Sequence, residues 1–257
     1  MSIVPKLDNT NEKDPENIDS KETSLEQVKN KEPGLLWYLF RRKTVVFGLA
    51  MFLIMLACSI LAPVLSNYTP SEIIVDNRLT GPSSDNYLGT DNLGRDVFSR
   101  ILYGGRASLM VGISVVLFAV GGGTLVGLIC GYYRRIDFFL MRVVDGLMSF
   151  PGLVLAITMM GVLGSSVMTV IIALSIVYGP RVARVVRSSV LVVREYPLVE
   201  AEKALGAKDG YILFNHILPN CLSPIIVQAT FIFSYAILGE AALSFLGVGV
   251  PPTTPSW

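Results

Sequence analysis

The sequence predicts an all-α, polytopic transmembrane helix bundle, on three observations. Mean hydropathy is +0.57 and only 16% of the 257 residues are charged, against about 25% in an ordinary soluble domain. Several runs long enough to cross a bilayer contain no charge at all. Lysine and arginine collect in alternate connections between those runs instead of being spread evenly.

A hydrocarbon core of about 30 Å needs roughly 20 helical residues. Residues 44–65 meet that length without a charged or strongly polar face, which a soluble core helix would normally show. Residues 107–131 form the second run, with Gly121, Gly122, Gly123, Gly127 and Gly131 in its second half; small residues of this kind let membrane helices approach closely. Residues 146–163, with Pro151 near the start, and 166–180, leading into Arg181, Arg184 and Arg187, form the third and fourth. The fifth, 221–246, holds a single charge, Glu240. Five spans follow; PPTTPSW comes just after a Gly/Pro turn, with no terminating feature, and reads as a C-terminal truncation.

Basic residues in short connections mark the cytoplasmic side. Arg41, Arg42 and Lys43 precede the first span, Arg134, Arg135 and Arg142 follow the second, and Arg181 to Lys208 follow the fourth; the 164–166 turn has none. The N-terminus and the 132–145 and 187–220 connections are therefore expected in the cytoplasm. Residues 1–34 are polar, mixed in charge and without apolar periodicity, the composition of a disordered tail. Residues 35–106 are expected to hold the first membrane helix and an extracytoplasmic loop, and 107–257 a second, larger membrane domain that is incomplete at its C-terminus.

Catalytic and metal chemistry find little support. Cys58, Cys130 and Cys221 lie in or beside apolar runs without metal spacing, and His216 is the only histidine. No G-x-x-x-x-G-K-[ST] phosphate loop is present, GAKDG at 206–210 included. No catalytic, cofactor or metal residues are assigned, and nothing points to nucleic acid. On composition alone, a secondary transporter or channel subunit remains the alternative; of the ionisable mid-span residues such proteins use, only Glu240 qualifies.

The stretch 194–220, REYPLVEAEKALGAKDGYILFNHILPN, is the most informative. Pro197 suits the first turn of a helix, where its missing N–H costs nothing. Leu198, Ala201 and Leu205 fall on one face of that helix, and Gly206 is a natural C′ residue. A second short helix is expected to start near Asp209 and stop by Pro219. The bent projection suits docking in a groove on a partner. At 88–109, Thr90 or Asp91 is expected to cap a helix through Arg100 that Gly104-Gly105 then breaks.

Glu200-Ala201, Gly206 and Leu218-Pro219 resemble the loop E-A-A-x-x-x-G, nine residues, I-x-L-P of ABC importer permeases. Glu202 stands where that pattern has Ala, and His216 where it has Ile; HILPN at 216–220 is similar to the oligopeptide and dipeptide branch. LGTDNLGRDVFSR at 88–100 resembles the segment before the second span of its C-type subunits. The resemblance implies a type I importer permease in a bacterial cytoplasmic membrane, with a sixth span following Trp257, serving peptides or related solutes. Its implied partners are a second homologous permease, two ABC ATPase subunits, an extracytoplasmic solute-binding protein and the lipid bilayer. Glu200, Ala201, Leu205, Gly206 and Pro219 would carry the ATPase coupling within the cytoplasmic loop 194–220. Glu240 is expected to face the pathway or a subunit interface.

Overall fold

A computed structural model describes residues 41–66, 68–251 and 253–257; the tail expected at 1–34 lies outside them. Every regular element among the described residues is helical. The chain divides into two units, Met1–Ile54 and Met55–Trp257.

The first unit contributes the leading part of α1 (Lys43–Ile60), apolar all round, with Phe47 69% exposed. In the second unit, α1 ends and the four-residue α2 (Ala62–Leu65) follows, with Pro63 in its first turn. The connection to the next helix is built by local polar bonds. Asp91 accepts from the backbone N–H groups of Leu93 (2.8 Å) and Arg95 (3.0 Å) and pairs with the Arg95 guanidinium at 2.7 Å.

That use of Asp91 corrects the expected helix start. Asp96 is the cap of α3 (Val97–Tyr132), accepting from Ser99 N–H at 2.7 Å. Gly104 and Gly105 do not break the helix; they are buried inside it, in a notch that takes the Trp257 indole. With 36 residues, α3 is about 54 Å long and runs uninterrupted across 106/107. Its exposed side is apolar at Ile113, Leu117 and Phe118, as a lipid-facing surface requires.

The third apolar run, 146–163, is not one straight span. α4 (Arg134–Met148) and α5 (Gly152–Leu163) meet at 90°. Pro151 stands at the junction with φ −57° and ψ 122°, its φ set by the ring and its ψ outside the helical range. α4 is anchored by ion pairs: Asp137 with Arg187 (Nη2–Oδ2 2.6 Å) and Asp145 with Arg184 (2.6 Å). Both arginines belong to α6 (Val167–Val193), which starts on a Ser166 cap. The helix does not stop with the apolar run at Gly179-Pro180; Pro180 lies inside it. Membrane helices tolerate an internal proline where neighbouring groups re-satisfy the freed backbone. Buried Val182, Val186 and Val190 hold this half of α6. α3 and α6 touch backbone to backbone there: a Cβ on Gly127 would stand 2.7 Å from the Ala183 carbonyl oxygen.

After α7 (Pro197–Ala204) comes a single turn, α8 (Asp209–Tyr211), then a π-helical segment, Ile212–Ile217, and α9 (Leu218–Phe245). The expected stop by Pro219 is therefore corrected. The proline lies in the first turn of α9, and the wide π segment precedes it. Pro lacks the N–H and clashes with the carbonyl four residues back in a regular helix; a π segment opens the ladder where that clash would fall. Among the described residues four helices are long and apolar enough to cross a membrane, and the bent pair α4–α5 makes up to a fifth, in line with the five runs.

Candidate functional site

The segment between α6 and α9 forms an elbow on the surface. Tyr196 is extended and Pro197 opens α7. Val199 is 2% exposed and anchors the helix inward. Leu198 is 56% exposed and Leu205 83% exposed; Ala201 and Glu200 are exposed with them. Glu200 also sits in the first turn, where the helix dipole favours negative charge.

The bend after α7 is a Schellman cap. Ala207 N–H bonds the Glu202 carbonyl and Gly206 N–H the Lys203 carbonyl, both at 3.0 Å, the 6→1 and 5→2 bonds of that motif. Gly206 has φ +80°, and nothing lies within 4 Å of where its Cβ would be. The glycine is thus needed for its backbone conformation and not for space. The structure brings Glu200, Ala201, Leu205 and Gly206 together on α7 and its cap; Pro219 belongs to a different element, the start of α9.

Several groups that sequence reasoning missed hold the elbow to the end of α3. Arg194 donates to the Gly131 carbonyl (3.0 Å). The Tyr132 and Tyr133 hydroxyls donate to the two oxygens of Asp209, at 2.8 and 3.0 Å. Lys203 Nζ lies 5.0 Å from the Tyr132 ring centroid. The hydrogen bond to Asp209, then burial and the carboxylate charge, push the Tyr133 hydroxyl above its ordinary value. The signal available in the sequence was a tyrosine pair closing an uncharged run.

Glu240 lies elsewhere and is fully buried. It accepts from Ser108 Oγ (3.2 Å) and Ser244 Oγ (2.8 Å). Ser108 Oγ in turn accepts Trp257 N–H, and Ser244 Oγ accepts Val250 N–H. Its carboxylate knits α3, α9 and the 247–257 segment within this chain. Among the described residues no group of three or more His, Cys, Asp or Glu is placed to hold a metal ion.

The family described as binding-protein-dependent transport system inner membrane component matches residues 123–257, a stretch that contains α4 to α9, the elbow and the close approach of α3 to α6 at Gly123, Gly127 and Gly131. The chain belongs to that family. A second match, to the N-terminal transmembrane domain of oligopeptide transport permease C, covers residues 35–82. Among its relatives, a dipeptide transport system permease of Alkalihalophilus pseudofirmus is 46% identical over 220 residues, 85% of this chain and 72% of that one. A glutathione transport system permease of Pectobacterium atrosepticum is 41% identical over 224 residues, 86% and 74% of the two chains. A di/tripeptide transport system permease of Pseudomonas aeruginosa is 39% identical over 229 residues, 86% and 76%. As an inner membrane component of such a system, the protein is a multi-pass permease subunit of an ATP-binding-cassette importer.

Proposed function

We propose that this permease subunit forms, with a second homologous permease, the path for peptides or a related solute, and that its elbow is the seat of an ATPase subunit. The observation that carries the docking role is a large apolar side chain, Leu205, standing 83% exposed at a capped, rigid bend. An exposed Leu alone is common; Leu198 and Ala201 beside it make a small apolar face with Glu200 at its edge, a helix-in-groove ligand. Glu200, Ala201, Leu205 and Gly206 form the contact, and Pro219 directs the return into α9. No phosphate loop is present in the sequence, so two ATPase subunits supply hydrolysis and this chain is not itself catalytic. The N-terminus and the elbow lie in the cytoplasm, and a solute-binding protein delivers solute on the other side.

ATP-driven closure of the ATPases moves the elbow, and the helices fixed to it shift between outward and inward access; packed interfaces are bistable and amplify small displacements. The peptide class rests on what the relatives are named to transport. The deciding experiment is L205D in the intact transporter. The expected result is loss of the ATPase subunits on purification with the second permease retained. A full complement of ATPases and normal uptake would overturn the docking role.

A further inference from the structure

We propose that Tyr132, Tyr133 and Asp209 are positioning residues that grip the elbow to α3 and so make α3, alongside the helices the elbow is covalently joined to, the rod that carries its movement across the membrane. The proposal rests on the coupling role of the elbow put forward above, and deepens it.

The chain connects the elbow directly only to α6 and α9. Nothing covalent obliges α3 to follow it. Yet the end of α3 is held at three points, each from a different part of the elbow. Arg194, just before α7, takes the Gly131 carbonyl at 3.0 Å. Lys203, on α7, sits 5.0 Å over the Tyr132 ring. Asp209, opening α8, accepts both hydroxyls, 2.8 Å from Tyr132 and 3.0 Å from Tyr133. Hydrogen bonds to a charged acceptor are shorter and stronger than neutral ones, and two donors on one carboxylate fix its orientation as well as its position. The two rings are themselves edge-to-face, with centroids 5.0 Å apart, which holds the hydroxyls in that arrangement.

At its other end the same helix carries the fixtures of the opposite membrane face. Ser108 donates to Glu240, Trp257 Nε1–H donates to the Ile101 carbonyl at 2.7 Å, and the Arg106 guanidinium bonds the Ser59 (2.7 Å) and Ile60 (2.8 Å) carbonyls. A push delivered at Tyr132–Tyr133 therefore reaches the ends of α1 and α9 and the 247–257 segment through one continuous helix. Asp209 is a lever point because it stands just past the Gly206 cap, where the elbow turns.

The test uses the intact transporter in proteoliposomes, with its binding protein and a transported dipeptide, and reads solute moved per ATP hydrolysed. Y132F/Y133F removes both donors and leaves both rings, so the Lys203 contact and the packing persist. D209N keeps the size of the acceptor and removes its charge, and D209E restores the charge. Expected is a fall of about fivefold or more in the transport-to-hydrolysis ratio for Y132F/Y133F, within the span of ordinary coupling energies. D209N falls likewise, D209E recovers in part, and the ATPases still copurify and hydrolyse ATP. An unchanged ratio in Y132F/Y133F overturns the grip, and so does a proportional loss of uptake and hydrolysis that D209E shares. L205D separates the two levels. If L205D releases the ATPases while Y132F/Y133F transports normally, the elbow docks and the grip alone is wrong. If L205D retains them, the docking role itself fails.

Discussion

Glu202 and His216 face each other across the elbow, with the carboxylate Oε1 3.6 Å from the imidazole Nε2. These are the two positions at which the segment departs from E-A-A-x-x-x-G…I-x-L-P, so the departures form one contact between α7 and the π segment. The His216 ring also meets Tyr211 edge-on, with centroids 5.4 Å apart. A part-exposed pair of this kind is worth about 0–1 kcal/mol.

A double-mutant cycle on thermal stability checks that pairing. E202A and H216I each remove one partner; E202A/H216I makes both positions match the pattern. The double variant is expected to be more stable than the sum of the singles predicts, by up to about 1 kcal/mol. Strict additivity would mean that the two side chains do not interact.

Gly206 offers a cleaner substitution, because its φ of +80° is the requirement and its surroundings are empty. A β-branched side chain there is strained by about 1–2 kcal/mol or more in the left-handed region, whereas asparagine visits that region readily. G206V is expected to reach the membrane, hydrolyse ATP with its partners and transport poorly; G206N is expected to transport at close to the native rate. Equal uptake by both, measured at equal membrane levels, would separate the bend from coupling.

The sequence carried the spans well because uncharged length is a direct consequence of lipid as solvent. It also carried the start of α7 and its cap, since Pro197 and Gly206 each have one conformation that suits them there. It failed where a residue has two uses. Asp91 and Asp96 can both cap a helix, and only the turn that occupies Asp91 leaves the role to Asp96. Gly104-Gly105 reads as a break or as a packing notch, and the choice is made by Trp257, more than a hundred residues away. The grip on Asp209 was invisible for the same reason: Tyr132 and Asp209 are 77 positions apart.

Glu240 shows how a buried charge can be a structural fixture. Two hydroxyls reach it, and each hydroxyl also holds a backbone N–H of the 247–257 segment. E240A strands both serines, and an unsatisfied buried polar group costs about 1–3 kcal/mol. The expected outcome is a lower unfolding temperature in detergent for E240A and a smaller decrease for E240Q, whose carbonyl oxygen and amide can still bond the serines. Solute KM at a given membrane level is expected to be unchanged in E240Q. A shifted KM with native thermal stability would instead place the carboxylate on the solute's route.

Orientation is decided by two exposed positions at opposite ends of α3. Residue 85 belongs to the connection before α3, and residue 208 adjoins Asp209, which the far end of α3 binds. The 36 residues of α3 separate those ends by about 54 Å, more than the roughly 30 Å hydrocarbon core, so the two sites emerge on different faces. The basic residues Arg134, Arg135, Arg142 and Lys203 lie on the 208 side, the side that the positive-inside rule predicts to be cytoplasmic. In a C58A background, where the remaining Cys130 and Cys221 are buried, a membrane-impermeant maleimide added to intact cells is expected to label D85C and to miss K208C until the membrane is permeabilised. Labelling of K208C but not D85C in intact cells would invert the subunit and place the elbow where no ATPase could reach it.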